Sequence, residues 1–98
     1  MNRTELTACI AEQAALRYTP AGLPALDLIL EHASEVHEAG QIRKVQLKLR
    51  ALAFGHQAET LVKQAIGSVW QFKGFLATPR QGKSVKSVVL HIQEFQQD

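Results

Sequence analysis

The chain has 98 residues and a mass of 10.8 kDa, room for one domain with a small core. Hydrophobic residues make up 46% and charged residues 20%, an ordinary globular composition that argues against disorder, and no run approaches the ~20 apolar residues of a membrane helix. The net charge of +2 conceals an imbalance, because residues 1–40 carry a net −4 and residues 41–91 a net +8, the second being the electrostatic footprint expected of a polyanion binder.

Met1 to Thr7 has no continuous apolar stretch, so a secretory leader is not expected. Cys9 is the only cysteine, which leaves no intrachain disulfide and no cysteine-rich zinc site, and a reduced cytoplasmic setting fits best. Thr4 to Arg17 is ambiguous on its own. Its alanines, glutamates and leucines favour helix, while Leu6, Ala8 and Ile10 also fit strand alternation. A turn follows at Thr19-Pro20-Ala21-Gly22-Leu23-Pro24. Ala25 to Ser34 alternates, with Leu26, Leu28 and Leu30 on one side and Asp27, Ile29 and Glu31 on the other. After Glu38-Ala39-Gly40 comes the clearest strand, Ile42 to Phe54. There Val45, Leu47, Leu49, Ala51 and Ala53 alternate with Lys44, Gln46, Lys48 and Arg50, giving one apolar face and one basic face. His56 to Ile66 has helical spacing in Ala58, Leu61, Val62, Ala65 and Ile66, with Gly67 as its stop. Val69 to Ala77 groups Trp70, Phe72, Gly74 and Leu76 opposite Gln71 and Lys73. Val85 to Phe95 is rich in β-branched residues and sets Val88, Leu90 and Ile92 against Ser87, Val89, His91 and Gln93. If the first segment is a strand, the order is five strands with a helix between the third and fourth. That is the order of an OB-fold barrel, which binds oligonucleotides on its strand 2–3 face and with two of its loops.

An ordered set of short stretches then carries a resemblance. It comprises Asn2-Arg3, Thr19-Pro20-Ala21-Gly22-Leu23-Pro24, Leu30-Glu31-His32 with Ser34, Glu38-Ala39-Gly40, Gly55-His56, Ile66-Gly67-Ser68, Gly74-Phe75 and Val89-Leu90-His91. In this order and at nearly this spacing the chain resembles primosomal replication protein N, the PriB type, over essentially its whole length. The resemblance implies an all-β, five-stranded OB-fold in one domain spanning residues 1–98. It implies a homodimer that binds single-stranded DNA during replication restart and contacts the primosomal helicase and a helicase-loading protein. It implies no enzymatic activity and no cofactor. It also makes Thr4 to Arg17 a strand against its propensity. By position it places a basic residue of the first loop at Arg17 and one of the third strand at Arg43, and the basic residues of the loop between strands 4 and 5 at Arg80, Lys83 and Lys86. The chain departs from the pattern at Gln46, where an aromatic is expected for base stacking, and at Ala33, where a basic residue is common.

The stripe Lys44, Lys48 and Arg50, with Gln46 among them, is the expected phosphate track, since single-strand binding needs a positive groove and aromatic faces for bases. Tyr18 beside Arg17 is the best stacking residue. Trp70 and Phe72 read as core, and Phe54 and Phe95 as packing. Phe75, opposite the core face of its strand, suits either base stacking or a dimer contact, the dimer being favoured, and His56 and His91 read as structural hydrogen-bonding residues. The run Glu31, Glu35, Glu38 reads as a solvated loop. The four histidines lack a ligand set for a metal. Gly82-Lys83-Ser84 lacks the upstream glycine of a phosphate-binding loop, since Ala77 stands there. No serine, histidine and aspartate form a recognisable triad. The expected function is therefore a single-stranded DNA-binding primosome accessory. The alternative, favoured by Gln46 and Ala33, is a protein-interaction adaptor with weak DNA affinity.

Overall fold

Strand alternation on this chain closes into a ring of β-structure, seen in a computed structural model that describes residues 1–79 and 88–97. The elements in chain order are β1 (Thr4–Gln13), β2 (Arg17–Tyr18), β3 (Pro24–Glu38), β4 (Gln41–Phe54), α1 (His56–Leu61), β5 (Val69–Ala77) and β6 (Val89–Gln96). The sheet order is β1-β5-β6-β4-β3-β2, and a further pairing of β1 with β3 closes five of the strands into an OB-type ring. One strand does both jobs. Thr4 to Cys9 ladder with β5, whereas Cys9 to Gln13 ladder with β3. The register slips by one residue between Ile10 and Glu12, and such a bulge bends a strand at a barrel corner.

The first segment is thus a strand despite its helical propensity, because Ala8 and Ile10 alternate into the core, where tertiary burial outweighs a few tenths of a kcal/mol per residue. It is shorter than expected. The chain leaves the ladder after Gln13, with the Ala14 amide on the Asp27 carbonyl at 3.0 Å, and re-enters as the separate β2. The helix is shorter too. Gln13 donates its side-chain amide to the carbonyls of Val62 and Gln64, at 3.5 and 3.3 Å, so these groups are met from outside. The following chain is then tied back to β1 through Gly67 N–H to Ile10 O at 2.7 Å and Ile10 N–H to Ser68 O at 3.0 Å.

The core is formed by Ala8, Ile10, Leu26, Leu28, Leu30, Ala51, Ala53, Phe72, Leu90 and Ile92, with Ala58 and Leu61 of α1 packed in the same cluster. Trp70 packs against this cluster, lies edge-on to Phe95 at 5.2 Å and donates its indole N–H to Ser68. The expected apolar face of the last strand is corrected at Val88, which is exposed while Val89 is buried.

Only part of the apolar face of β4 reaches the core. β6 ladders with Arg50 to Ala53, and β1 ladders with Leu28 to Glu31 of β3. Beyond those limits β3 and β4 continue as a two-stranded ribbon to the Ala39-Gly40 turn, so Leu47 of that face is 40% exposed, and Ile42, which has the parity of the basic residues, is 64% exposed.

Candidate nucleic-acid interface

Residues paired across adjacent strands point to the same side of a sheet, so the ladders define which side chains share the outer wall of the ring. Working up the wall, Arg17 of β2 pairs with Ala25 and Ala25 with Phe54. Above them Asp27 pairs with Leu52, Leu52 with His91 and His91 with Phe75. The next row joins Glu12, Ile29, Arg50, Val89 and Ala77. Then come Cys9–Glu31–Lys48, Ala33–Gln46 and Glu35–Lys44. Lys44, Gln46, Lys48 and Arg50 are all exposed and lie on one face of β4, on this wall. At about 3.4 Å per residue it runs ~20 Å from Lys44 to Arg50.

Two grooves open on the same wall. One, of about 470 Å³, is lined by Arg17, Asp27, Ile29, Arg50, Leu52 and His91 among others. The other, of about 510 Å³, is bounded by Cys9, Glu31, Ala33, Gln46 and Lys48. The rows that line them are adjacent, Ile29–Arg50 beside Glu31–Lys48.

The remaining expected residues fall less simply. Arg17 lies on the wall but is held by Asp27, donating from Nε to Oδ2 at 2.8 Å and from Nη2 to Oδ1 at 3.4 Å. That hydrogen bond, and after it the carboxylate's charge, raise the Arg17 pKa above the ordinary guanidinium value, so it stays charged across the whole physiological range. Tyr18, next in the strand, points to the opposite side from Arg17 and is 62% exposed at the rim. Arg43 pairs with Val36, on the face away from Lys44, and its Nε sits 2.7 Å from Glu38. It does not join the stripe. Arg80, Lys83 and Lys86 lie outside the described residues.

Three features of the wall escape the sequence reading. Phe54, read as packing, is 39% exposed and shares the parity of Lys48 and Arg50, so extending the alternation by four residues from Arg50 finds it. Its ring lies 6.2 Å from that of His91, and Phe75 stacks on the same His91 ring at 4.7 Å and 11°. These three rings bring aromatic surface to a wall whose third strand lacks the expected one. The run Glu31, Glu35, Glu38 belongs to β3 and not to a loop, because β3 extends to Glu38. Elsewhere, His32 ties β3 to β1, its Nδ1–H donating to the Thr7 carbonyl at 2.6 Å while Ser34 lies 2.8 Å from Nε2. Among the described residues no group of three or more histidine, cysteine, aspartate or glutamate side chains is arranged to hold a metal ion, and no helix is long and apolar enough to cross a membrane.

Residues 2–94 match the model of a family described as "another single-strand binding protein family". The chain is 50% identical over 94 residues to the replication restart protein PriB of Bordetella pertussis, covering 96% of this chain and 86% of that protein. It is 31% identical over 93 residues to the protein of the same name from Nitrosomonas europaea, covering 95% and 84%. The solved structure of PriB from Ralstonia solanacearum superposes with a TM-score of 0.88 at 34% identity, over 99% of this chain and 97% of that one. The single-stranded DNA binding protein from Thermus aquaticus superposes at 0.79 with 26% identity, over 98% of this chain and 49% of that one.

Proposed function

Because this chain belongs to the replication restart protein PriB family of single-strand binding proteins, we propose that it binds single-stranded DNA on the outer wall of β3 and β4 and acts in replication restart as a primosome accessory. The observation that carries the reading is the row of Lys44, Gln46, Lys48 and Arg50, exposed together beside two grooves. The mechanism is passive. Lysine and arginine neutralise backbone phosphates, and Phe54, with the His91 and Phe75 rings beyond it, offers faces for bases. Binding of this kind orders a strand and holds it for other proteins. The reading includes a single OB-fold unit, a homodimer, contacts with the primosomal helicase and a helicase-loading protein, a cytoplasmic site of action and no catalysis of its own.

A titration of fluorescent oligo-dT at several salt concentrations tests it. Neutralising ~3–5 phosphates gives a log–log slope of roughly −2 to −3.5, at −0.7 per phosphate for single strands. A slope near zero at unchanged affinity overturns the assignment of these side chains. The alternative, a protein-interaction adaptor with weak DNA affinity, draws support from Arg17, Arg43 and Lys48, whose charges are already met by Asp27, Glu38 and Glu31. Absence of measurable oligo-dT binding at low salt is the outcome that favours it.

A further inference from the structure

Between β3 and β4, the basic residues of the outer wall all lie on β4. Each lysine of the stripe faces a carboxylate of β3: Lys48 pairs with Glu31 across the ladder, Nζ to Oε1 3.9 Å, and Lys44 pairs with Glu35. All four side chains are exposed, and the neutral Ala33–Gln46 row lies between the two charged rows. These two charged rows therefore sum to zero, and Arg50 is the stripe's cation whose direct ladder partners, Ile29 and Val89, are both apolar, with Glu12 one strand further along its row.

We propose that Glu31 and Glu35 make this wall select single-stranded over double-stranded DNA, an inference that rests on the nucleic-acid reading above. Side chains directly opposite each other in a ladder have Cβ atoms about 5 Å apart. A phosphate on Lys48 or Lys44 thus lies well within the ~10 Å Debye length at 0.1 M salt of the neighbouring carboxylate, and the repulsion is not screened away. A duplex carries one charge per ~1.7 Å, holds its base edges inside its grooves and presents phosphate ridges to a flat wall. It meets the two lysines and the two glutamates together and gains nothing from their sum. A single strand has half that charge density and free bases. It can set phosphates on Lys44 and Lys48 and turn base N–H donors toward Glu31 and Glu35, which accept them. Two parallel lines of opposite sign, lysines on β4 and glutamates on β3, match a ligand that presents phosphates along one side and base edges along the other, and penalise one that presents phosphates alone.

The test compares a fluorescent single strand with the same strand annealed to its complement, titrated against wild type and Glu31→Gln/Glu35→Gln. Glutamine is isosteric at both exposed positions and keeps the hydrogen-bonding acceptor while removing the charge. Duplex binding should tighten about tenfold, equivalent to ~0.7 kcal/mol per carboxylate at ~1.4 kcal/mol per decade. Single-strand binding should change less than about threefold, so the ratio of the two affinities falls. Glu59→Gln on α1 makes the same change in charge as either single wall substitution and should move neither affinity. Should the double variant lose thermal stability, Glu31→Gln and Glu35→Gln singly carry the same comparison at about threefold each. Equal tightening for both ligands, or an effect of Glu59→Gln as large as that of the wall variants, overturns the proposal while leaving single-strand binding intact. If wild type binds neither ligand, the nucleic-acid reading falls first and this inference with it.

Discussion

Arg17, Arg43 and Lys48 each approach a carboxylate at 2.8, 2.7 and 3.9 Å, yet all six side chains are about half exposed or more. Pairs of this kind contribute about 0–1 kcal/mol, so a phosphate can displace the carboxylate at small cost. Their pairing lowers the available positive charge without removing the residues from use. Neither Asp27 nor Glu31 could be matched to its partner from sequence, since Arg17 and Asp27 are ten residues apart and Glu31 and Lys48 seventeen, and only the strand register joins them. Gln46 is the residue on which the single-strand reading is sharpest. It is exposed, stands opposite the small Ala33 and borders the upper groove. A ring there has space above Ala33 and no core to disturb. One base–aromatic stack is worth ~1–3 kcal/mol, or roughly 5- to 150-fold in affinity. Gln46→Trp should tighten oligo-dT binding at least several-fold, with an unchanged salt slope and a folding stability within about 0.5 kcal/mol of wild type. Unchanged affinity in the folded variant would show that this part of β4 is not a DNA face.

The β3–β4 hairpin is the longest element pair, and its turn carries a visible cost. Glu38 pairs with Gln41, which leaves Ala39 and Gly40 as a two-residue loop, and both have positive φ, 52° and 77°. Two-residue loops with φ > 0 at both positions suit glycine and asparagine, whereas an alanine there strains by about 1–2 kcal/mol. Ala39→Asn should therefore stabilise the protein by ~0.5–1 kcal/mol and raise its melting temperature by about 2–8 °C, followed by circular dichroism at fixed protein concentration. A lower melting temperature would mean that the turn is not limiting. The Glu38-Ala39-Gly40 break was legible as punctuation, but the extent of the strand before it was not. Nothing in Glu35 to Glu38 alternates apolar with polar, and those residues are strand because their backbone ladders with Gln41 to Lys44. Gly74 shows the same limit from the other side. Alternation groups it with the apolar-face residues of its strand, yet a Cβ there would overlap the His91 carbonyl oxygen and lie 2.9 Å from its carbon. The glycine allows β5 and β6 to close up beside the register slip between Lys73 and Gly74.

Across the whole molecule, the ring leaves its largest unpartnered feature in the outer half of that hairpin. Val36, Ile42 and Leu47 are exposed there, and the strands have no third neighbour among the described residues. A two-stranded ribbon is marginally stable by itself, and open edges with apolar side chains favour covering by another chain. A small core adds to that pressure. Light scattering at micromolar concentration should return about twice the 10.8 kDa chain mass, and a mass near that of one chain throughout the range would overturn the homodimer.

Period-two alternation determined most of the strands, because burying one face of a sheet requires apolar side chains at every second residue and Leu26, Leu28, Leu30, Ala51 and Ala53 supply them. The same rule determined that Lys44, Gln46, Lys48 and Arg50 share one wall, since residues of one parity on a strand must. Alternation is silent about neighbours. That Phe54, His91 and Phe75 form one aromatic surface follows from the parallel β4–β6 and antiparallel β5–β6 ladders, which join residues up to 39 positions apart. That Glu31 and Glu35 stand against the lysines follows from the β3–β4 register alone, and a slip of one residue would have turned them to the other face. Charge along a chain is additive, but the field at a surface depends on which strands the fold sets side by side. The basic stripe was therefore readable in the sequence, and its acidic counterpart was decided only when the barrel closed.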